Sequence, residues 1–382
     1  MTDLATSALA GPILGALPAI ISELPALGEV RGKRSAAIAI PEPARALTLS
    51  GLAALGDRRP ILVAVPTSTE AQRLTNDMRQ LLGDDVVLFP AWETLPFERV
   101  SPSVETMGRR LEVVWQLRDP ERAPAVIVAP VRALIQRLTP HVDEVEPIVV
   151  GVGDVLDVDQ LVRDLVAAGY RRESQVEHRG EIAVRGSIVD VFPSTADVPF
   201  RIDLWGDEVD RLTEFSVTDQ RSRIAISEIT IFPARELLPS DDVRERAEQL
   251  RATEPWGIEH WHRLADGELF DGMESWLPWL SADGRVLPDL IDAASLIVVV
   301  EPRRATDRAN DLRAEEADLA STLATTWGAA AEGDDPDLPR LHIEFDRLLA
   351  RTEAPVWNTT GAPEGPDVAQ VAASGWDPVV GE

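Results

Sequence analysis

Five short apolar runs set the first constraint on this chain: AAIAI (36–40), ILVAV (61–65), DVVLF (85–89), AVIVA (125–129) and, far downstream, SLIVVV (295–300). Runs of this length without polar alternation read as strands covered on both faces, and such strands form parallel sheets with helical crossovers. Amphipathic stretches at 44–55, 70–82 and 104–117 separate the first four runs and supply those helices. The fifth run has no neighbour of its own kind, so it is predicted to return to the first sheet. The α/β domain is therefore expected to be split around an insertion.

The texture changes where that insertion is expected. Segments such as GEIAVRGSIVDVFP (180–193), FRIDLWGDEVDRLTEFSV (200–217) and ISEITIFPA (226–234) alternate strictly and are joined by short polar turns, the pattern of antiparallel strands with one wet face. A helix is predicted at 157–168. The expected order is an N-terminal helical segment (1–34), a first α/β part (35–142), an inserted small α+β domain (143–235), a second part completing the α/β sheet (236–352) and a linker (353–382). Within the second part, 239–251 reads as an acidic helix, 303–326 as a charged amphipathic helix and 329–337 as an acidic linker. The tail from Glu353 reads as a connector without a closing element.

Composition removes several functions. With no cysteine, thiolate nucleophiles, disulfide scaffolds and Cys-bearing metal sites are excluded. No apolar run approaches the ~20 residues of a membrane span. The apolar N-terminus lacks a preceding positive charge and carries Asp3, unlike a secretory signal, so the cytoplasm is the expected location. A formal net charge of -28 repels phosphate backbones, predicting weak or no DNA binding by this chain.

A parallel sheet of this kind invites a search for a phosphate-binding loop, GxxxxGK[ST], after the first strand. Pro41-Glu42-Pro43 occupies that position, so two backbone donors are missing and a carboxylate faces the slot. The only lysine is Lys33; Gly32-Lys33-Arg34-Ser35 matches GK[ST] superficially, but it precedes the strand and lacks the upstream glycine. An Asp-Glu pair for magnesium would fall after SLIVVV, where the sequence reads Val300-Glu301-Pro302 and a single acid remains. Pro41, Glu42, Pro43 and Glu301 thus mark a degenerate nucleotide site, with no cofactor expected.

Other chemistry is sparse. His260 and His262 would share one face of an extended segment but lack a clear third ligand, so no metal is expected. Arg171, Arg172, Arg179 and Arg185 gather just before Phe192 in an otherwise acidic region. Arginine and aromatic anchors dominate protein–protein hot spots. The alternative is that Phe192 is core and the arginines pair with Glu173, Glu177 and Glu181.

FPAWETLPFERVSPS (89–103), YRRESQVEHRGEIAVRGSIVDVFPS (170–194) and FRIDLWGDEVDRLTEFSVTDQRS (200–222) resemble the N-terminal region of the bacterial transcription-repair coupling factors (Mfd), and GIEHW (257–261) with LIVVVEP (296–302) resembles related stretches of UvrB. The resemblance covers roughly 35–305 and is densest over 85–235. It implies a degenerate P-loop, helicase-like domain 1a/1b around an inserted domain 2 that docks on UvrA, linking stalled transcription to nucleotide excision repair. The tyrosine-rich damage hairpin of UvrB has no counterpart between Pro102 and Val126. By motif position the UvrA contact falls on Arg171, Arg185 and Phe192, with Arg172 and Arg179 as weaker neighbours, and Arg221 falls to a structural role in the sheet. Other domains of the full-length factor, a polymerase-binding domain and a DNA translocase, are further expected partners. Two alternatives to the adaptor are a divergent UvrB-type DNA-repair ATPase and a scaffold for a neighbouring translocase.

Overall fold

The strands Ile61–Val65, Val126–Pro130 and Leu296–Val300 are buried at every residue, as strands covered on both faces must be. The computed structural model describes residues 14–281, 284–327, 338–363, 365 and 367–372. In chain order the strands are β1 (Ser35–Ala39), β2 (Ile61–Val65), β3 (Val86–Leu88), β4 (Val126–Pro130), β5 (Ile148–Gly151), β6 (Arg171–Arg172), β7 (Glu181–Arg185) and β8 (Ile188–Val191). They continue as β9 (Phe200–Trp205), β10 (Glu208–Phe215), β11 (Ser222–Ile226), β12 (Glu228–Ile231), β13 (Leu296–Val300), β14 (Val356–Thr360) and β15 (Ala369–Gln370).

Seven of these form one sheet in the order β15-β1-β14-β13-β2-β4-β3, and all its pairings are parallel. Successive side chains of a strand enter opposite layers: Leu62, Ile127 and Ile297 join one core, while Val63, Val126 and Val298 join the other. Each such buried side chain stabilises the fold by about 1.5–3 kcal/mol. Two crossover helices start at hydroxyl caps: Thr67 accepts from the Glu70 N–H at 3.2 Å before Ser68–Leu82, and Ser103 from the Thr106 N–H at 3.1 Å before Val104–Leu117. The late strand β13 does return to this sheet, between β14 and β2.

The insertion is a separate layer. Among the described residues, six strands form a sheet in the order β11-β10-β9-β8-β7-β6, antiparallel except for the β6–β7 pairing. Its inner face carries Ile182, Val189, Ile202 and Leu212, packed with Leu161 and Leu165 of the helix Val158–Ala167. Strands β5 and β12, at the entrance and exit of the insertion, pair antiparallel with each other, so the chain leaves and returns at one place. The fold is a split parallel-sheet α/β domain with an inserted small α+β domain.

Some expectations need correction. The tail from Glu353 is not purely a connector, because Val356–Thr360 is a strand inserted between β1 and β13 and Ala369–Gln370 extends the sheet edge. The segment VWNTT buries Trp357 and Thr359 on alternate positions, and the Trp357 indole donates to Lys33 O at 3.0 Å. Flanking proline and glycine masked that alternation. His260 and His262 lie in the helix Ile258–Ala265, where positions two apart point to opposite sides. His260 tilts onto Trp276 at a ring separation of 4.4 Å, within a cluster that includes Trp256, Trp261 and Trp279. The expected acidic linker at 329–337 lies outside the described residues, as does the start of the N-terminal segment, whose remainder forms helices Leu17–Ile21 and Pro25–Val30.

A buried ion pair fixes the point where the chain returns from the insertion. Arg110, on the helix Val104–Leu117, contacts Glu236, just beyond the insertion, through Nε–Oε2 at 2.8 Å and Nη2–Oε1 at 3.1 Å, both side chains fully buried. Trp92 Nε1 donates to Glu236 at 2.8 Å, Arg110 donates to Pro90 O at 3.0 Å, and the guanidinium lies 4.3 Å from the Phe89 ring centroid. Removing one partner of such a pair leaves a buried charge unmet. Glu236→Ala is expected to lower the unfolding free energy in urea titrations by about 3–5 kcal/mol, and Arg110→Met combined with Glu236→Leu to recover most of that loss.

Candidate functional site

Two places gather the residues singled out by sequence. The first lies where the strands of the parallel sheet end. After β1 the chain passes Pro41, makes a single 3-10 turn at Glu42–Ala44 and enters the helix Arg45–Ala54, leaving no glycine-rich loop. A cavity of about 310 Å³ opens there, lined in part by Glu42, Arg45, Glu70, Arg73, Asp77 and Val300. Ion pairs gather the arginines in and around it: Arg45 with Glu301 at 3.0 Å, Arg304 with Glu70 at 2.8 Å, and Arg73 with Glu42. The Arg73 guanidinium holds the Glu42 carboxyl below the usual carboxylate range. The helix N-terminus, which would attract an anion, therefore faces the chain's own carboxylates Glu42 and Glu301. Pro41, Glu42, Pro43 and Glu301 are thus brought together, and Arg45, which the sequence reading passed over, joins them; its place directly after Pro-Glu-Pro at a helix start was the available signal.

Glu301 closes β13 with φ 50°, in the left-handed region, and its N–H donates to Thr359 O at 2.7 Å. Carboxylate and backbone strain can be separated there. Glu301→Ala should lower stability by roughly 1–3 kcal/mol, since it strips the largely buried Arg45 of its partner. Glu301→Gly should lose less, because glycine adopts positive φ without the cost of a Cβ; thermal unfolding of both variants measures the difference.

The second place is the face of the six-stranded sheet turned away from the helix Val158–Ala167. Arg171 pairs in register with Glu181 across β6 and β7, and Arg185 lies four residues beyond Glu181 on β7, so the three share this face. One oxygen of the Glu181 carboxylate, Oε2, accepts from the N–H groups of Glu177 and His178 at 2.9 and 2.8 Å, and Oε1 lies 3.4 Å from His178 Nδ1. Arg171 reaches it only at 3.5 Å and its side chain is 69% exposed. Arg172 is exposed at the sheet edge. Arg185, 42% exposed, contacts the fully buried Asp190. Tyr170 anchors this edge: its hydroxyl donates to Phe232 O at 2.7 Å and accepts from the Ser194 N–H at 3.1 Å, and burial pushes its pKa up to about 12.

Phe192 and Arg179 sit differently. Phe192 is only 8% exposed and packs with Val176, Ala183 and Phe215, so it floors a hollow of about 340 Å³ beside Val198, Pro199 and Val217. Arg179 pairs with Asp197 at 2.8 Å and with Glu105 of the parallel-sheet part at 3.1 Å, and so ties the two parts together. The arginine bonded across this sheet is Arg201, not Arg221: Arg201 holds Asp190 through Nε at 2.7 Å and Nη2 at 3.0 Å, and donates to Gln220 O at 3.2 Å. Arg221 is exposed. Arg201 sits opposite Asp190 in register, a pairing that alternation within FRIDLW could have suggested.

A larger hollow of about 620 Å³ lies within the α/β part, lined by His141, Asp143, Asp242, Arg246 and Arg285 among others. Hydrogen bonds to Asp242 and Glu144 push the His141 pKa up to about 9.

Residues 148–237, the inserted layer with its arginine-bearing face, match the family model of the UvrB interaction domain. The class is thereby defined: a split parallel-sheet domain carrying a UvrB interaction domain. Over most of its length the chain is a homologue of the transcription-repair-coupling factors. It is 39% identical over 345 residues to that of Mycobacterium tuberculosis (strain CDC 1551 / Oshkosh), covering 83% of this chain and 28% of the relative. Identity is 30% over 319 residues to the factor of Bacillus subtilis (strain 168), with 78% of this chain and 26% of the relative covered. With the factor of Escherichia coli (strain K12) it is 32% over 240 residues, covering 57% and 21%. The chain thus spans between 21% and 28% of the length of these relatives. No helix of the described residues is long and apolar enough to cross a membrane.

Proposed function

We propose that this chain is a non-catalytic adaptor of transcription-coupled DNA repair, which recruits UvrA through the open face of its inserted domain and works in the cytoplasm. The observation that carries this reading is the exposure of Arg171 and Arg185 on one helix-free face, within the segment that matches the UvrB interaction domain. Glu181 is satisfied by backbone N–H groups and Asp190 by Arg201, so both arginines can engage a partner's carboxylates without stranding a buried charge. Phe192 contributes by lining the neighbouring hollow. Arg179 serves as a tie, while Arg172 extends the basic edge.

The strand-end cavity supports the absence of nucleotide hydrolysis. Its arginines face the chain's own carboxylates, and nothing in the Pro41–Pro43 turn offers the backbone cradle that phosphates require. A full-length factor would supply motor and polymerase contacts elsewhere.

Arg171→Ala combined with Arg185→Ala is expected to abolish co-elution of the purified chain with UvrA while thermal unfolding stays close to wild type, each anchor being worth about 2 kcal/mol or more. Retained co-elution would remove the assignment. Titration with ATP and magnesium should give no saturable binding; saturable binding would favour the divergent ATPase.

A further inference from the structure

At the far end of the same face stands an aromatic side chain with no packing role. Trp205 closes β9 and is 83% exposed. The next two residues, Gly206 and Asp207, form the tight turn into β10, and Gly206 at φ 67° meets the turn's need for a left-handed residue without help from the indole. Register fixes its neighbours. Arg185 is opposite Ile188, Ile188 is opposite Asp203, and Trp205 is two residues along from Asp203 on the same face. Across the hairpin Trp205 is opposite Glu208, and Glu208 is bridged to Val155, itself 71% exposed. Trp205 and Val155 thus flank Glu208 on this face, with the Arg185 end of β7 on the far side of Trp205.

We propose that Trp205, with Val155 across Glu208 from it, is the apolar anchor of the UvrA-docking surface, entering a cleft on UvrA bordered by basic side chains. This rests on the reading of the inserted domain as the UvrA-docking unit and extends it to residues outside the arginine patch. Side chains that are aromatic, amphipathic and low in rotamer entropy are the ones that dominate interface energetics. Charge selects the partner. Asp154, Asp207, Glu208 and Asp210 are all exposed around the hairpin and its neighbouring loop, and Arg211 on the same hairpin is paired with Asp203 at 3.0 Å, so a stacked nucleic-acid base would bring its phosphates into a net-negative surface. A protein surface with basic groups beside an apolar cleft complements both features, while Arg185 and Arg171 face acids further along.

The test measures the affinity of purified UvrA for the full chain as wild type, Trp205→Ala, Trp205→Phe and the Arg171→Ala/Arg185→Ala double variant, with thermal unfolding recorded for each. Trp205→Ala is expected to weaken binding about tenfold or more, Trp205→Phe to retain most of it, and neither to lower the unfolding temperature, since the side chain lies in solvent. If Trp205→Ala binds like wild type while the arginine variant loses binding, the anchor is wrong and the docking face stands. If the indole variant loses binding and the arginine variant does not, the anchor stands and the arginine assignment falls. Wild-type affinity in all variants overturns both.

Discussion

The buried Arg110–Glu236 pair is the constraint on which the relation between the two parts depends. The chain leaves the parallel-sheet part through β5 and returns through β12, and Glu236 follows within a few residues of that return. Fixing its carboxylate to a guanidinium on the crossover helix sets where the inserted layer begins and ends relative to the sheet. Two charges removed from water must be well bonded to be tolerated. Here the carboxylate accepts from Arg110 and Trp92, and the guanidinium also has Pro90 O and the Phe89 ring. Arg179–Glu105 and Arg235–Glu274, the latter at 2.8 Å, add ties around the same neck. Burial pushes the Glu274 carboxyl above its usual range. These bonds hold the inserted layer in a fixed direction against the parallel-sheet part.

Arginine performs opposite tasks in the two places of interest. In the strand-end cavity each guanidinium is matched by a carboxylate of the same chain, and Glu301 holds Arg45 where a ligand's charge would otherwise be needed. On the inserted domain the carboxylates have other partners, backbone N–H groups at Glu181 and Arg201 at Asp190, so Arg171 stays 69% exposed and Arg185, which also contacts Asp190, stays 42% exposed. Lysine, a point charge without the planar fork, would suit neither arrangement as well. With Lys33 as the only lysine, the chain has built both from arginine.

Much of this was legible in the sequence because it is written in local periodicity. ILVAV, AVIVA and SLIVVV can only be strands covered on both faces, and their membership of one sheet followed from the lack of any other partner for the last. The loss of the phosphate loop was equally local, since Pro41 and Pro43 remove donors whatever the tertiary structure. What local pattern could not give was long-range pairing. Nothing in VWNTT says that it inserts between the first strand and SLIVVV, and nothing in the sequence near Phe192 distinguishes a side chain that floors a hollow from one that projects. Arg179 and Arg201 look alike as residues. Only the register of β8 against β9 gives one of them Asp190 as a partner, while the other reaches Glu105 across the neck.

The position of β14 carries a consequence for how such a chain is made. Among the described residues, β1 pairs only with β14 and β15, each contributed more than three hundred residues later. During synthesis β1 therefore waits unpaired until β14 and β15 have emerged, whereas the inserted layer, whose pairings are all made within its own span, can form meanwhile. For the intervening time of synthesis an apolar strand edge is uncovered. Vectorial folding would thus finish the inserted layer before the platform that holds it.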